Sequence, residues 1–222
     1  MFESYPSLPQ LDISDLHTFQ NRFIVDEQQY NKEDMAKEHD ILFKALNDEQ
    51  VHVYEDIMTT VLSKKGGLFF LYGYGGTRKT FMWKTLLAAL RSKGMIVLNV
   101  TSSGVASLLL PGGKTTHSTF RIPLLINDES TCNIAQGSLC DKILMATNLI
   151  IWDEAPMMNR MCFKAFDRTL RDIMKNVDDA NIAKRFGGKA VVLGGDFRQI
   201  LPIIKKGSRF DIIKSTINYS EL

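Results

Sequence analysis

The period of apolar and polar positions changes repeatedly between Leu46 and Leu222, and each change marks an element. In LNDEQVHVYEDIMTTVLSK (46–64), Val51, Tyr54, Ile57, Met58, Val61 and Leu62 recur at three- and four-residue spacing. That spacing predicts an amphipathic helix, which Asn47 or Asp48 can cap. GLFFLYG follows, a continuous apolar run ending in glycine, and reads as a buried strand. After a glycine-rich turn, KTFMWKTLLAALRSKG reads as a helix closed by Gly94. MIVLNV is another buried strand, and SGVASLLL a short helix that Pro111-Gly112-Gly113 ends. LIIW is a strand running into two acids. MCFKAFDRTLRDIMKN is a helix with one apolar side, and KAVVLGG is a last strand that leads into DFRQILP.

Strands that are apolar throughout and alternate with helices predict an α/β domain: a mostly parallel sheet with helices on both faces, from residue 46 to 222. In such sheets ligands bind at the carboxyl ends of the strands. GYGGTRKT, the acidic pair and GGDFRQ all fall at such ends. Residues 1–45 are polar, with Pro6 and Pro9 near the front. They read as a lead-in, although NKEDMAKEHDILFKAL can form a short helix.

Composition narrows the classes. The 222 residues suffice for one sizeable core, and a net charge of +2 provides no broad basic field. A nucleic acid would therefore have to bind in a local groove. Cys132, Cys140 and Cys162 are odd in number, with no C-x-x-C pair, and read as idle thiols in a reducing compartment. No run is long enough to span a bilayer, and MFESYPSLPQ has neither a basic nor an apolar leader region, so the expectation is an intracellular protein.

GYGGTRKT (73–80) nearly matches the phosphate-binding pattern G-x-x-x-x-G-K-[ST]. A strand, a turn containing Gly73, Gly75, Gly76 and Thr77, and a helix together aim backbone N–H groups at a phosphate. Lys79 would reach the terminal phosphates and Thr80 would hold Mg²⁺. Arg78 stands where the pattern has glycine. If the loop needs a left-handed backbone there, a side chain costs about 1–2 kcal/mol, and the expectation is weakened ATP binding. The loop is then either a working variant or a decayed one. Asp153 can hold the same Mg²⁺, and Glu154 can take a proton from an attacking water. Gly194 and Gly195 permit close approach, and Gln199 can reach a γ-phosphate.

LNDEQ, GYGGTRKT, VTSSGVASLLLPGGKTTHSTF, IIWDEAPM and GGDFRQILP occur in this order. Together they resemble the motifs of the Pif-type (petite integration frequency) DNA helicases of superfamily one, nearest the branch associated with Helitron transposons. The resemblance implies a RecA-like P-loop NTPase domain that uses ATP and Mg²⁺ and acts on single-stranded DNA. It further implies roles in DNA repair, recombination or telomere maintenance, with a nuclear or mitochondrial location and a monomeric state. Gln50 resembles the glutamine that reads the adenine edge. Lys79 and Thr80 resemble the Walker-A pair, Asp153 and Glu154 the Walker-B pair, and Gln199 the γ-phosphate sensor. Ser103-Gly104 and Thr116-His117 resemble segments that track single-stranded DNA. His117 or Phe120 could stack on a base, or His117 could simply cap a loop. The family motor has two RecA-like domains. The expectation is that this sequence is the first, without the second and its catalytic arginines. Two rivals stand beside the helicase: a non-catalytic relative that binds only single-stranded DNA or a partner, and a small-molecule kinase. GGDFRQ has no role in the kinase.

Overall fold

The computed structural model describes residues 21–74, 77–109 and 112–220. Pro6, Pro9, Gly75, Gly76 and Pro111 lie outside them. The strands are β1 (Gly67–Tyr72), β2 (Val97–Thr101), β3 (Lys114–Thr115), β4 (Leu149–Asp153) and β5 (Ala190–Gly195). The helices are α1 (Arg22–Gln28), α2 (Lys32–Lys44), α3 (Asp48–Leu62), α4 (Lys79–Ser92), α5 (Gly104–Ser107), α6 (Thr116–Phe120), α7 (Leu139–Ala146), α8 (Arg160–Lys175) and α9 (Arg209–Lys214). The strands pair in the order β1-β5-β4-β2-β3, every neighbour parallel.

Side chains alternate across a strand, so each inner strand supplies two cores. Ile150, Trp152, Val191 and Leu193 face Phe163 and Phe166 of α8. Leu149, Ile151 and Val192 face Ile57 of α3 and Trp83 and Leu86 of α4. Phe120 stacks on Phe166 with ring centres 3.9 Å apart, and Trp152 lies 4.5 Å from Phe163. These are the two helix-covered faces that the apolar strands predict.

β1 departs from the expectation of a buried strand. It is the sheet edge, and Phe70 and Tyr72 remain 37% and 47% exposed. Both stack on Phe197, at 5.1 and 6.3 Å, so the aromatic row is continuous but only half covered.

Residues 21–45, read as part of a polar lead-in, are packed onto the domain. Asn31 caps α2, and α2 lies along α4 without a fully buried side chain of its own. His39 meets the Tyr54 hydroxyl of α3 at 2.8 Å. Arg91, in the last turn of α4, pairs with Glu27 of α1 at 2.9 Å, and both are buried. The Arg91 guanidinium also lies 3.8 Å from the centre of the Tyr30 ring.

Removing one partner of a buried pair leaves an uncompensated charge, so Glu27→Ala should lower unfolding free energy by about 3 kcal/mol. Urea denaturation measures this, and Glu27→Ala combined with Arg91→Met should recover part of the loss. A second test uses pH. Lys189 donates to Met145 O (2.6 Å) and Thr147 O (2.8 Å), and burial lowers its pKa from 10.5 to about 8. Between those values the unfolded chain binds more protons than the folded one, so this group makes stability rise with pH from about 8 upward. Wild type and Lys189→Met, unfolded in parallel from pH 8 to pH 10, should differ in slope, with the variant lacking this rise.

Candidate active site

The glycine-rich loop leaves the sheet beside β5, where Gly73 N donates to Gly195 O at 3.4 Å. It turns at once: Thr77 N and Thr77 Oγ1 both donate to Tyr74 O, at 3.2 and 2.8 Å. A Cβ on residue 73 would stand 2.3 Å from Thr77 Oγ1, so the turn requires Gly73. Arg78 has a left-handed backbone (φ 61°, ψ 30°) at the N-cap of α4 and makes no side-chain cap. Its carbonyl accepts from Phe81 N and Met82 N at 3.0 and 3.1 Å. Its guanidinium is exposed, 6.0 Å from the Phe81 ring centre. Lys79 opens α4 and turns its amine back onto Gly73 O and Tyr74 O. Thr80 follows, exposed.

The acids arrive from the neighbouring strands. Asp153 ends β4 and is buried, and its Oδ1 has no partner among the described residues. Burial raises its pKa, while the Glu154 backbone, the Trp83 indole and Lys79 pull it the other way. Glu154 is half-buried with a left-handed backbone (φ 52°). Burial and then the Asp153 charge raise its pKa, against the opposing pull of Lys79. Asp196, buried just past β5, accepts from Arg198 N at 2.9 Å. Gln199 is exposed, and its amide reaches Asp196 Oδ2 only at 3.5 Å.

A cavity of about 440 Å³ opens beside the loop, lined by Asn47, Gln50, Tyr72, Arg78, Lys79 and Met82 among others. Gln50 is held there by a capping box: its backbone N–H donates to Asn47 Oδ1 at 2.8 Å, and its side-chain Oε1 accepts from Asn47 N at 3.2 Å. Tyr72 and Tyr74 meet edge to face, and Arg198 lies 4.5 Å from the Tyr74 ring centre. The phosphate-type loop, the acids and the Gln199 turn thus share one edge of the sheet.

Several expectations are corrected. Gly194 and Gly195 make room for protein side chains. A Cβ at residue 194 would lie 2.3 Å from Trp83 Cζ2, and one at residue 195 would lie 2.2 Å from Pro156 Cδ. Thr116 is fully buried, so its hydroxyl is out of reach of a nucleic acid in this conformation. Phe120 is likewise fully buried, in the aromatic core, and offers no stacking face. Ser103 caps α5, accepting from Ala106 N at 3.4 Å, and Gly104 beside it faces open space. His117 is half-buried, with its pKa lowered by burial. The three cysteines are free and buried. Among the described residues no helix is long and apolar enough to cross a membrane.

Asp196, Arg198 with Tyr74, and Trp83 behind Asp153 are site residues that patterning missed. Trp83 reads as one more apolar position on a helix face, and only the glycine at 194 hints at what it approaches.

The donor set suits a hard cation. The Asp153 carboxylate and the Thr80 hydroxyl offer only oxygen donors, the kind that would suit a hard cation such as Mg²⁺ beside phosphate oxygens and water.

A family model described as PIF1-like helicase matches residues 45–222. The ATP-dependent DNA helicase PIF1 of Trypanosoma brucei brucei is 31% identical over 156 residues, which cover 70% of this chain and 14% of that protein. The ATP-dependent DNA helicase Pif1 of Psychrobacter sp. is 30% identical over 148 residues, 65% of this chain and 21% of that protein. The Bacteroides Pif1 helicase, solved with ADP-AlF3 and ssDNA, superposes with a TM-score of 0.59 at 26% identity. That match covers 76% of this chain and 36% of the solved one. The chain therefore spans about a fifth or less of these curated relatives.

Arg78 holds left-handed backbone (φ 61°), a region that costs a residue with a side chain about 1–2 kcal/mol. Arg78→Gly should raise the melting temperature by about 2–4 °C, as expected for ~1 kcal/mol in a domain of this size. Differential scanning calorimetry without nucleotide measures it. An unchanged or lower melting temperature would mean that the arginine side chain offsets the strain.

Proposed function

The chain belongs to the PIF1-like helicase family, and on that premise we propose that it is an ATP-binding motor domain of an ATP-dependent DNA helicase. One observation carries the reading: Lys79, Asp153 and Glu154 interact electrostatically at the same sheet edge, next to a cavity of about 440 Å³ that Lys79 and Gln50 line.

In this reading Lys79 exchanges its loop carbonyls for the terminal phosphates, a stronger, charge-assisted partner. Gln50, fixed by its capping box, borders the part of the cavity that takes the base. Thr80 and Asp153 would hold Mg²⁺, which would offset phosphate charge. Glu154, whose pKa is raised by burial and by Asp153, is the group suited to take a proton from the attacking water. Gln199, exposed beside Asp196, is free to swing toward the γ-phosphate. Ser103, Gly104 and His117 are the groups offered to single-stranded DNA, through hydroxyl and backbone N–H contacts to phosphate. The finer reading places the protein in DNA repair, recombination or telomere maintenance, in the nucleus or the mitochondrion, acting as a single copy. A second reading, a relative that binds without turnover, is favoured by one feature: the arginine at 78, where the phosphate-loop pattern has glycine.

Calorimetric titration of Mg-ATP, with and without an oligo-dT strand, tests both. Wild type should bind ATP, and Lys79→Ala should weaken binding about ten- to a hundredfold through loss of a charged hydrogen bond. Affinity indifferent to Lys79→Ala would end the nucleotide reading. ATP affinity that rises with oligo-dT supports the motor, whereas ATP binding without such coupling, and without hydrolysis, supports the second reading.

A further inference from the structure

Trp83 sits four residues after Lys79 on α4, wholly buried between that helix and the sheet. Its ring occupies the space where a side chain at 194 would be, 2.3 Å from that position. Asp153 Oδ1 lies 3.4 Å from the same point. One helix and two strands therefore bring an indole and a carboxylate together over a glycine. Trp83 Nε1 and Asp153 Oδ1 are both buried, and neither has a hydrogen-bond partner of normal geometry. A buried N–H donor is normally satisfied, and an apolar core position is filled more cheaply by leucine or phenylalanine. The other tryptophan obeys that rule: Trp152 Nε1 donates to Ser102 Oγ at 3.0 Å.

We propose that Trp83 is a positioning residue for Asp153. With the cation bound, the Asp153 carboxylate would hold it while accepting the Trp83 N–H, with Gly194 keeping the space between indole and carboxylate. Because Lys79, Thr80 and Trp83 share one helix, the phosphate loop and the acid that ends β4 are fixed relative to each other by this contact. The inference rests on the nucleotide reading above and extends it to a residue that touches neither nucleotide nor cation.

The test is chosen so that the two readings fail separately. ADP affinity is measured by calorimetry with Mn²⁺ and with EDTA. If wild type binds no ADP under either condition, the nucleotide reading itself falls, and this one with it. Given binding, Trp83→Phe, which keeps the ring and loses the N–H, should weaken ADP binding in Mn²⁺ on the order of tenfold, as loss of a partner behind a metal ligand does. Affinity in EDTA should not change. Equal affinities in Mn²⁺, or equal losses in both conditions, would overturn the role. A readout on the unaltered protein stands beside it. Two tryptophans give two indole N–H resonances, assigned through Trp83→Phe or Trp152→Phe. The Trp83 resonance should move more with Mg-ADP than with ADP alone, and one that moves equally in both would overturn the proposal.

Discussion

In these fully buried strands charged groups occur only at the ends, and the site depends on that constraint. Every residue of β4 and β5 is buried, so the charges these strands deliver are confined to Asp153 and Glu154 at one carboxyl end and Asp196 at the other. Parallel pairing then brings these ends to one edge, with Thr101 level with Asp153 and Tyr72 level with Gly195. The loop that follows β1 has nowhere else to place Lys79. The same burial gives the carboxylates their chemistry, because an ionised group deprived of water keeps its charge only with help from nearby donors and cations.

The fold was legible in the sequence because its strands are continuous apolar runs and its helices keep a regular period. The capping of α3 is legible to within one position, since Asn47 and Asp48 both qualify and Asn47 is the cap, whereas the Gln50 side chain that completes the box carries no such signal. The docking of α1 and α2 was not. α1 is held by a charged pair, Glu27 with Arg91, whose members are 64 residues apart, and α2 by its packing on α4 and by His39 against Tyr54; nothing in a local window marks a buried glutamate. Along the nucleic-acid motif, residue types were legible and exposure was not. Thr116 and Phe120 have suitable chemistry but face the core, because α6 is a single short turn laid against the aromatic cluster. The glycines at 194 and 195 were read as openings for a ligand. Their actual neighbours, Trp83 and Pro156, come from other elements and are invisible to spacing.

Arg78 and Glu154 share a feature that residue type alone does not reveal. Both adopt left-handed backbone at the point where a chain leaves the sheet edge and begins a helical turn. Neither is glycine, the residue that tolerates this region without strain. Backbone strain held at two adjacent points of a candidate site is the usual companion of side chains that must be aimed in a fixed direction. At Arg78 the direction is outward, over Phe81, which leaves the inner side of the loop to Lys79.

The match to the family begins at residue 45, yet the Glu27–Arg91 pair ties the preceding stretch into the far end of the helix that Lys79 opens. A protein trimmed to the family boundary would keep Arg91 and lose the carboxylate and the Tyr30 ring that accompany it. Its guanidinium would be left without those partners on the helix that organises the phosphate loop. Where sequence similarity ends and where a folding unit ends are, in this chain, two different places.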